Sequence, residues 1–246
     1  MRMPALWIAA IILGMASQRE KAQRIYQRLR DAYGEPAWEP KPSPVDELIS
    51  TILSQNTNDA NRDKAFRALR EKFPSWEEAL EAPVGEIIAA VRPAGLAPQK
   101  GPRIRAVLST INGTRGRIEL DFLRALPADE VRSWLLSLPG VGPKTAAIVM
   151  LFALGLPAFP VDTHVYRVTG RLGLRPPRMT AEAAHDHLAA LFDPEQYARA
   201  HLNLIRLGRE ICHARKPECP RCPVKRLCPY YRANRPPKSP SPHFTS

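Results

Sequence analysis

The segment Leu138-Pro-Gly-Val-Gly-Pro-Lys144-Thr-Ala-Ala147 constrains the fold more than any other stretch of this chain. Gly140 and Gly142 bracket one apolar residue, Val141. Glycine reaches backbone angles closed to other residues, so the chain reverses tightly there. Helical periodicity flanks the turn on both sides. Val131, Trp134, Leu135 and Leu138 recur at spacings of three and four before it; after it, Thr145 to Leu154 has the pattern of a buried helix, with Pro143 suited to the first turn. The unit is helix, Gly-x-Gly hairpin, helix. Such a hairpin turns backbone N–H groups of a helix N-terminus outward, forming an uncharged and sequence-blind clamp for a phosphate.

The rest of the chain has the same helical grammar. Ala22, Ile25, Tyr26, Leu29 and Tyr33 share one helical face, closed by Gly34, and Glu35 to Pro44 is a linker by its prolines. Ser43 is an N-cap with Pro44 at the first helical position, opening a helix that buries Val45, Leu48, Ile49, Ile52 and Leu53. It runs into the polar hexapeptide Ser54-Gln55-Asn56-Thr57-Asn58-Asp59, a helix-helix turn in which Thr57 or Asn58 caps the next helix. That helix stops at Pro74, and Ser75 to Glu78 is a capping box. Further helices are expected over Val84 to Val91 and Ile104 to Ile111, the latter ending at Asn112-Gly113, with a Gly/Pro turn between them that carries Leu96. Arg115-Gly-Arg117 is a second linker. Beyond it the pattern stays helical over Val165 to Leu172, Ala181 to Phe192 and Tyr197 to Ile211. No segment alternates with period two, so the expected class is all-α.

Composition narrows the partner. The chain of 246 residues has 36 Lys plus Arg against 24 Asp plus Glu, a net charge of +12, which favours a polyanion through counterion release but also fits a merely soluble basic protein. Residues 4–16 are apolar behind Arg2, so a signal peptide has to be weighed; 13 residues fall short of a comfortable bilayer span. The reading preferred is that translation starts at Met15 and Ala16-Ser17 opens the first helix, because a metal-binding, nucleic-acid-binding chain does not suit an oxidising export route.

Two sites carry chemistry. The four cysteines, Cys212, Cys219, Cys222 and Cys228, are spaced C-x6-C-x2-C-x5-C within 17 residues. Two disulfides in so short a segment would suit a small secreted scaffold, not a helical protein of this size. On spacing alone structural zinc and a [4Fe–4S] cube both stay open, with the single knuckle and uneven arms favouring the cube. Arg215, Lys216, Arg221, Lys225 and Arg226 give the same loop a basic face for phosphates. The second site is Lys144 with Asp162. A lysine in the first turn of a helix meets the positive end of the dipole, which favours its neutral amine, the form a nucleophile needs. Asp162 is an N-cap by position, and its carboxylate could also stabilise a cationic sugar or move protons.

LPGVGPKTA, VDTHVYRV about 18 residues after the lysine and the cysteine spacing, in this order, resemble endonuclease III, the family of helix-hairpin-helix base-excision DNA glycosylases. The likeness covers Gln18 to Arg232. It implies a six-helix domain over 37–156 carrying the hairpin, and a discontinuous iron-sulfur domain formed by 18–36 plus 157–232. Residues 1–17 would then be an extension and 233–246 a disordered Pro/Ser-rich tail. It implies a bifunctional DNA glycosylase/AP lyase: an oxidised pyrimidine is flipped from double-stranded DNA, Lys144 forms a Schiff base with the sugar, Asp162 assists, and β-elimination breaks the strand. It further implies a [4Fe–4S] cluster on the four cysteines and a phosphate on Gly140-Val141-Gly142, with a monovalent cation beside that hairpin. DNA contacts would come from Gln55 or Asn56 in the space left by the base, Leu96 as wedge, His164, and the basic residues Lys216, Lys225 and Arg226. A cytoplasmic, nucleoid-associated monomer without membrane attachment is expected.

This sequence departs from the family pattern in three places. Asn56 stands where a glutamine is usual, with Gln55 beside it; Pro143 replaces a basic residue; and the stretch from Leu96 to Lys144 is longer. The rivals are a monofunctional mismatch glycosylase, against which Lys144 argues, and a non-catalytic DNA-binding or redox-sensing protein built on the cluster, against which Lys144 and Asp162 together argue.

Overall fold

The computed structural model describes residues 5–37 and 43–234, and for residues 5–15 the backbone only. Residues 1–4, residues 38–42 of the Pro-rich linker and residues 235–246, which make up most of the tail expected to be disordered, lie outside the described residues. Among the described residues every regular element is helical and none is a strand, so the protein is all-α. It packs as two compact units, Met1–Pro36, Asp162–Phe192 and Arg199–Ser246 in the first, Ala37–Val161 and Asp193–Ala198 in the second.

Helix α1 (Ala5–Tyr33) belongs to the first unit and begins well before the expected opening at Ala16-Ser17. No proline interrupts residues 5–33, and alanine, the best helix former, recurs along them, so nothing breaks the helix at residue 16. Ala22, Ile25, Tyr26 and Leu29 are buried along one face, and Gly34 closes the helix through its N–H to Arg30 O at 2.8 Å.

The second unit starts with α2 (Pro44–Leu53), where Ser43 Oγ accepts the N–H of Asp46 at 3.1 Å and Pro44 occupies the first turn. In α3 (Asp59–Lys72) the cap is Asn58, whose Oδ1 accepts the N–H of Asn61 at 2.8 Å. Ser75 caps α4 (Trp76–Glu81) through the N–H of Glu78. Then follow α5 (Val84–Ala90) and α6 (Ala97–Arg115). Helix α6 runs past Asn112-Gly113, where it was expected to stop. Ile104, Val107, Leu108 and Ile111 hold its buried face in register, and the stop is Gly116, left-handed at φ +70°, whose N–H bonds Asn112 O at 2.7 Å.

Helices α7 (Ala128–Ser137) and α8 (Pro143–Ile148) flank the hairpin. The apolar stretch after the hairpin is not one regular α-helix: Val149–Ala153 widens into a π-turn, with Leu154 N–H bonded to Val149 O at 3.1 Å. Arg124 donates to Ala153 O at 2.7 Å and Leu154 O at 3.2 Å, satisfying carbonyls that the end of the helix leaves open. The core of this unit gathers the apolar faces of α2, α3, α5, α6, α7 and α8 into one cluster.

The chain then returns to the first unit with α9 (Thr163–Leu172) and α10 (Ala181–Ala189). Helix α11 (Tyr197–Glu210) leads into the cysteine loop, and α12 (Pro229–Ala233) follows it. Val165, Val168, Leu172, Leu188, Leu204 and Leu207 are buried here. Among the described residues no helix is long and apolar enough to cross a membrane.

At Gly101 helix α6 passes close to α5: a Cβ there would lie 2.5 Å from Ile88 Cγ1 and 3.2 Å from the Ile88 backbone. Gly101→Ala is expected to destabilise the protein by about 1–3 kcal/mol through overpacking, although alanine is the better helix former. A lowered midpoint of urea unfolding checks this, and an unchanged or raised midpoint contradicts it.

Candidate nucleic-acid interface and metal centre

Three turns of the second unit carry the residues expected to meet DNA. At the hairpin, Gly140 is left-handed at φ +74°, Val141 tucks its side chain into the core and donates its N–H to Leu138 O at 3.1 Å, and Gly142 begins α8 without a side-chain cap. Gly140 is glycine for two reasons: its backbone angle, and the arm of Arg103, which lies where a Cβ would be. Lys144 is half-buried in the first turn of α8, behind Pro143.

The second turn follows α2. Asn56 is left-handed at φ 54° and exposed, a conformation that asparagine tolerates better than most residues. Its neighbour Gln55 is held: Arg103 Nη1 donates to Gln55 Oε1 at 2.7 Å. The third turn holds Leu96, also left-handed at φ 49° and 44% exposed. A leucine pays for that conformation in backbone strain of roughly 1–2 kcal/mol and for its exposure in lost burial, the reverse of a packing residue. The Gly/Pro turn thus holds an apolar side chain in solvent.

Asp162 belongs to the first unit, where its Oδ1 accepts the N–H of Val165 at 2.7 Å and caps α9. His164, in the first turn of the helix, is half-buried, and burial foremost pushes its pKa down. Arg167 Nη2 meets His164 Nδ1 at 3.1 Å; a guanidinium only donates, so Nδ1 is the acceptor there.

The same helix grips the cysteine loop. Arg167 donates to Gly208 O at 2.9 Å and Cys212 O at 2.9 Å. Arg171, one turn on, donates to His213 O at 2.6 Å, Ala214 O at 2.9 Å and Cys212 Sγ at 3.4 Å. Cys212, Cys219, Cys222 and Cys228 form no disulfide and all line one small pocket. Burial pushes the Cys222 thiol up to about 11, with the other three cysteines adding to the rise, and burial raises Cys228 as well. Backbone N–H groups of Val224, Tyr230 and Tyr231 face these two sulfurs.

Four soft sulfur donors on one cavity wall, with N–H and guanidinium donors turned toward them, fit a thiolate-ligated metal group. Among the described residues no three His, Cys, Asp or Glu side chains are drawn together as a ready metal-ion group. Of the loop's cations, Lys216 and Arg226 are exposed, whereas the Lys225 ammonium bonds Pro220 O within the loop.

Sequence reasoning passed over Lys100, Arg103, Arg167 and Arg171. The signal for the first lay in the pattern, because Lys100 falls on the buried face of α6 with Ala97 and Ile104. The other three look like ordinary surface cations in the sequence.

Comparison with known proteins places these features in context. Residues 49–194 match the family described as HhH-GPD superfamily base excision DNA repair protein. Endonuclease III of Sulfolobus acidocaldarius is 33% identical over 189 residues, 76% of this chain and 82% of that protein. A protein of Arabidopsis thaliana named as a DNA glycosylase is 40% identical over 146 residues, 59% of this chain, which spans 50% of that longer relative. The structure of a trapped endonuclease III–DNA covalent intermediate superposes with a TM-score of 0.76 at 29% identity, covering 87% of this chain and 97% of that one.

Arg171→Met removes the donors to three successive carbonyls. Hydrogen exchange at residues 212–216 is expected to accelerate about tenfold or more, since charge-assisted bonds are worth ~1.5–3 kcal/mol each, while exchange at residues 138–146 stays as it was. Equal acceleration in both segments would show global loosening instead.

Proposed function

The chain belongs to the HhH-GPD superfamily of base excision DNA repair proteins, and within it to endonuclease III, so that it is a DNA glycosylase; from this we propose a bifunctional glycosylase/AP lyase that removes oxidised pyrimidines from duplex DNA. The observation that carries the lyase half is Lys144, half-buried in the first turn of the helix that leaves the glycine hairpin. A monofunctional enzyme needs no amine there.

In the proposed reaction the damaged nucleotide leaves the stack, at a cost of a few kcal/mol that is least for a damaged base. The neutral amine of Lys144 attacks the sugar C1′, and the base departs with the electron pair of the glycosidic bond and takes up a proton. Opening of the sugar ring and loss of the amine proton leave a Schiff base. Removal of a C2′ proton then expels the 3′ phosphate with the electrons of the C3′–O bond, and water releases the lysine. Asp162 stabilises the cationic sugar and helps to deprotonate the amine. Support for this role is its position: a capping carboxylate on Val165 N–H is fixed in direction and costs no reorganisation as charge develops. The Gly140–Gly142 hairpin holds a backbone phosphate, with a monovalent cation beside it, and Leu96 wedges the duplex. His164, Lys216 and Arg226 add contacts.

For the cysteine loop we propose a [4Fe–4S] cluster on Cys212, Cys219, Cys222 and Cys228. When bound, it supplies four iron–thiolate bonds that cross-link the loop, a structural contribution. The protein acts as a monomer.

Borohydride trapping tests the mechanism. With a duplex bearing thymine glycol or an abasic site, a covalent adduct forms with the wild type and none with Lys144→Gln. An adduct that persists in the variant removes Lys144 as nucleophile; base release without any adduct removes the lyase half. Asp162→Asn keeps an oxygen to accept Val165 N–H, so the fold is expected to stand while single-turnover excision slows by about 10²-fold or more.

A further inference from the structure

Helix α6 presents two cations, Lys100 and Arg103, one turn apart, toward the three turns already described. Lys100 is 2% exposed, and its ammonium donates to Leu53 O at 2.7 Å and Ala94 O at 2.8 Å. Leu53 ends α2, three residues before Asn56; Ala94 stands two residues before Leu96. The backbone N–H of Lys100 also bonds Leu96 O at 2.9 Å, so this one residue holds the Leu96 turn from both sides. Arg103 reaches the other way, from Gln55 Oε1 to the backbone of Gly140.

A buried ammonium is a costly device. Burial alone pushes the Lys100 pKa down, and its ammonium donates to carbonyls. A methionine of similar length would fill the same space among Ala97, Ile104 and Leu53 without desolvating a charge. What methionine cannot do is hold two carbonyls from different turns at a fixed separation. The same reasoning applies to Arg103: its planar guanidinium fixes direction as well as distance, which a lysine would not.

We infer that Lys100 and Arg103 are positioning residues that lock the Asn56 turn, the Leu96 turn and the Gly140 hairpin into one rigid unit. As a consequence Gln55 is tethered to Arg103, and Asn56 is the amide left to enter the space vacated by the base. This inference rests on the proposed function for the meaning of the three turns. Their mutual registry decides how readily a nucleotide is extruded: the wedge, the filler and the phosphate clamp have to act on neighbouring nucleotides at once. Neither cation touches the reacting atoms, so loss of either is expected to affect extrusion and leave the chemical step intact.

The experiment uses the full-length chain with Lys100→Met, Arg103→Met, Arg103→Lys, Gln55→Ala, Asn56→Ala and the double variant Gln55→Ala/Arg103→Met. Single-turnover excision of thymine glycol is measured in two duplexes, one fully paired and one with the lesion opposite an abasic gap, where little unstacking is needed. Lys100→Met and Arg103→Met are expected to lose about tenfold on the paired duplex and less than about threefold on the gapped one. Gln55→Ala should lose no more than Arg103→Met, with the double variant no worse than Arg103→Met alone, while Asn56→Ala loses more than Gln55→Ala. Fluorescence of 2-aminopurine placed beside the lesion should fall in parallel with the paired-duplex rates.

Equal losses on both duplexes would overturn the inference, as would additive losses in the double variant or a larger loss for Gln55→Ala than for Asn56→Ala. Should Lys100→Met unfold, the Gln55/Arg103 cycle decides alone, because both partners are only half-buried. Failure of borohydride trapping by the wild type would bear on the proposed function, and it is read separately from these ratios.

Discussion

A chain folded from short helices leaves carbonyl groups open at the C-terminal end of each one, and buried carbonyls without partners cost about 1–3 kcal/mol apiece. In this protein long cationic side chains close them. Lys100 bonds Leu53 O and Ala94 O, Arg70 bonds Phe73 O and Pro74 O, and Arg124 bonds Ala153 O and Leu154 O. Arg167 and Arg171 do the same where α11 ends and the cysteine loop begins, on Gly208 O, Cys212 O and His213 O. The favourable end of the helix dipole strengthens each bond. Part of the +12 charge is therefore framework, which alters the meaning of the composition: the cations still attract a polyanion, yet several of them are already spent inside the fold.

This framework has a direct bearing on function. In the first unit a single helix, α9, begins with the Asp162 cap and, one and two turns later, holds the mouth of the cysteine loop through Arg167 and Arg171. Two guanidinium groups thus tie that loop to the helix whose first turn fixes Asp162. In the second unit α6 plays the same part for the turns that carry Asn56, Leu96 and Gly140. Each unit thus places its chemistry at helix ends and uses cations from a neighbouring helix to keep those ends in place.

How much of this could be seen in the sequence follows from the range of each interaction. Ser43, Asn58, Ser75 and Asp162 cap helices through N–H groups three residues away, and such caps are written locally. The hairpin glycines and the cysteine spacing are equally local, and for this reason the helical class, the hairpin and the cysteine loop were legible. The run of α6 through Asn112-Gly113 and the π-turn after α8 were not: the first is decided by what the helix packs against, the second is held by a guanidinium from a distant segment.

By itself, then, the sequence determined an all-helical protein with a glycine hairpin, a lysine just behind it, a capping aspartate and four clustered cysteines, because every one of these depends on residues within a few positions of each other. Tertiary structure alone decided that Gln55 is tethered while Asn56 stands free of that tether, that Leu96 is strained outward, and that Lys100 is buried. Those outcomes join Gln55 to Arg103 across 48 residues and Leu53 to Lys100 across 47. Pairings at such separations leave no periodicity in the chain; they are set by which carbonyls and amides remain unsatisfied once the helices have packed.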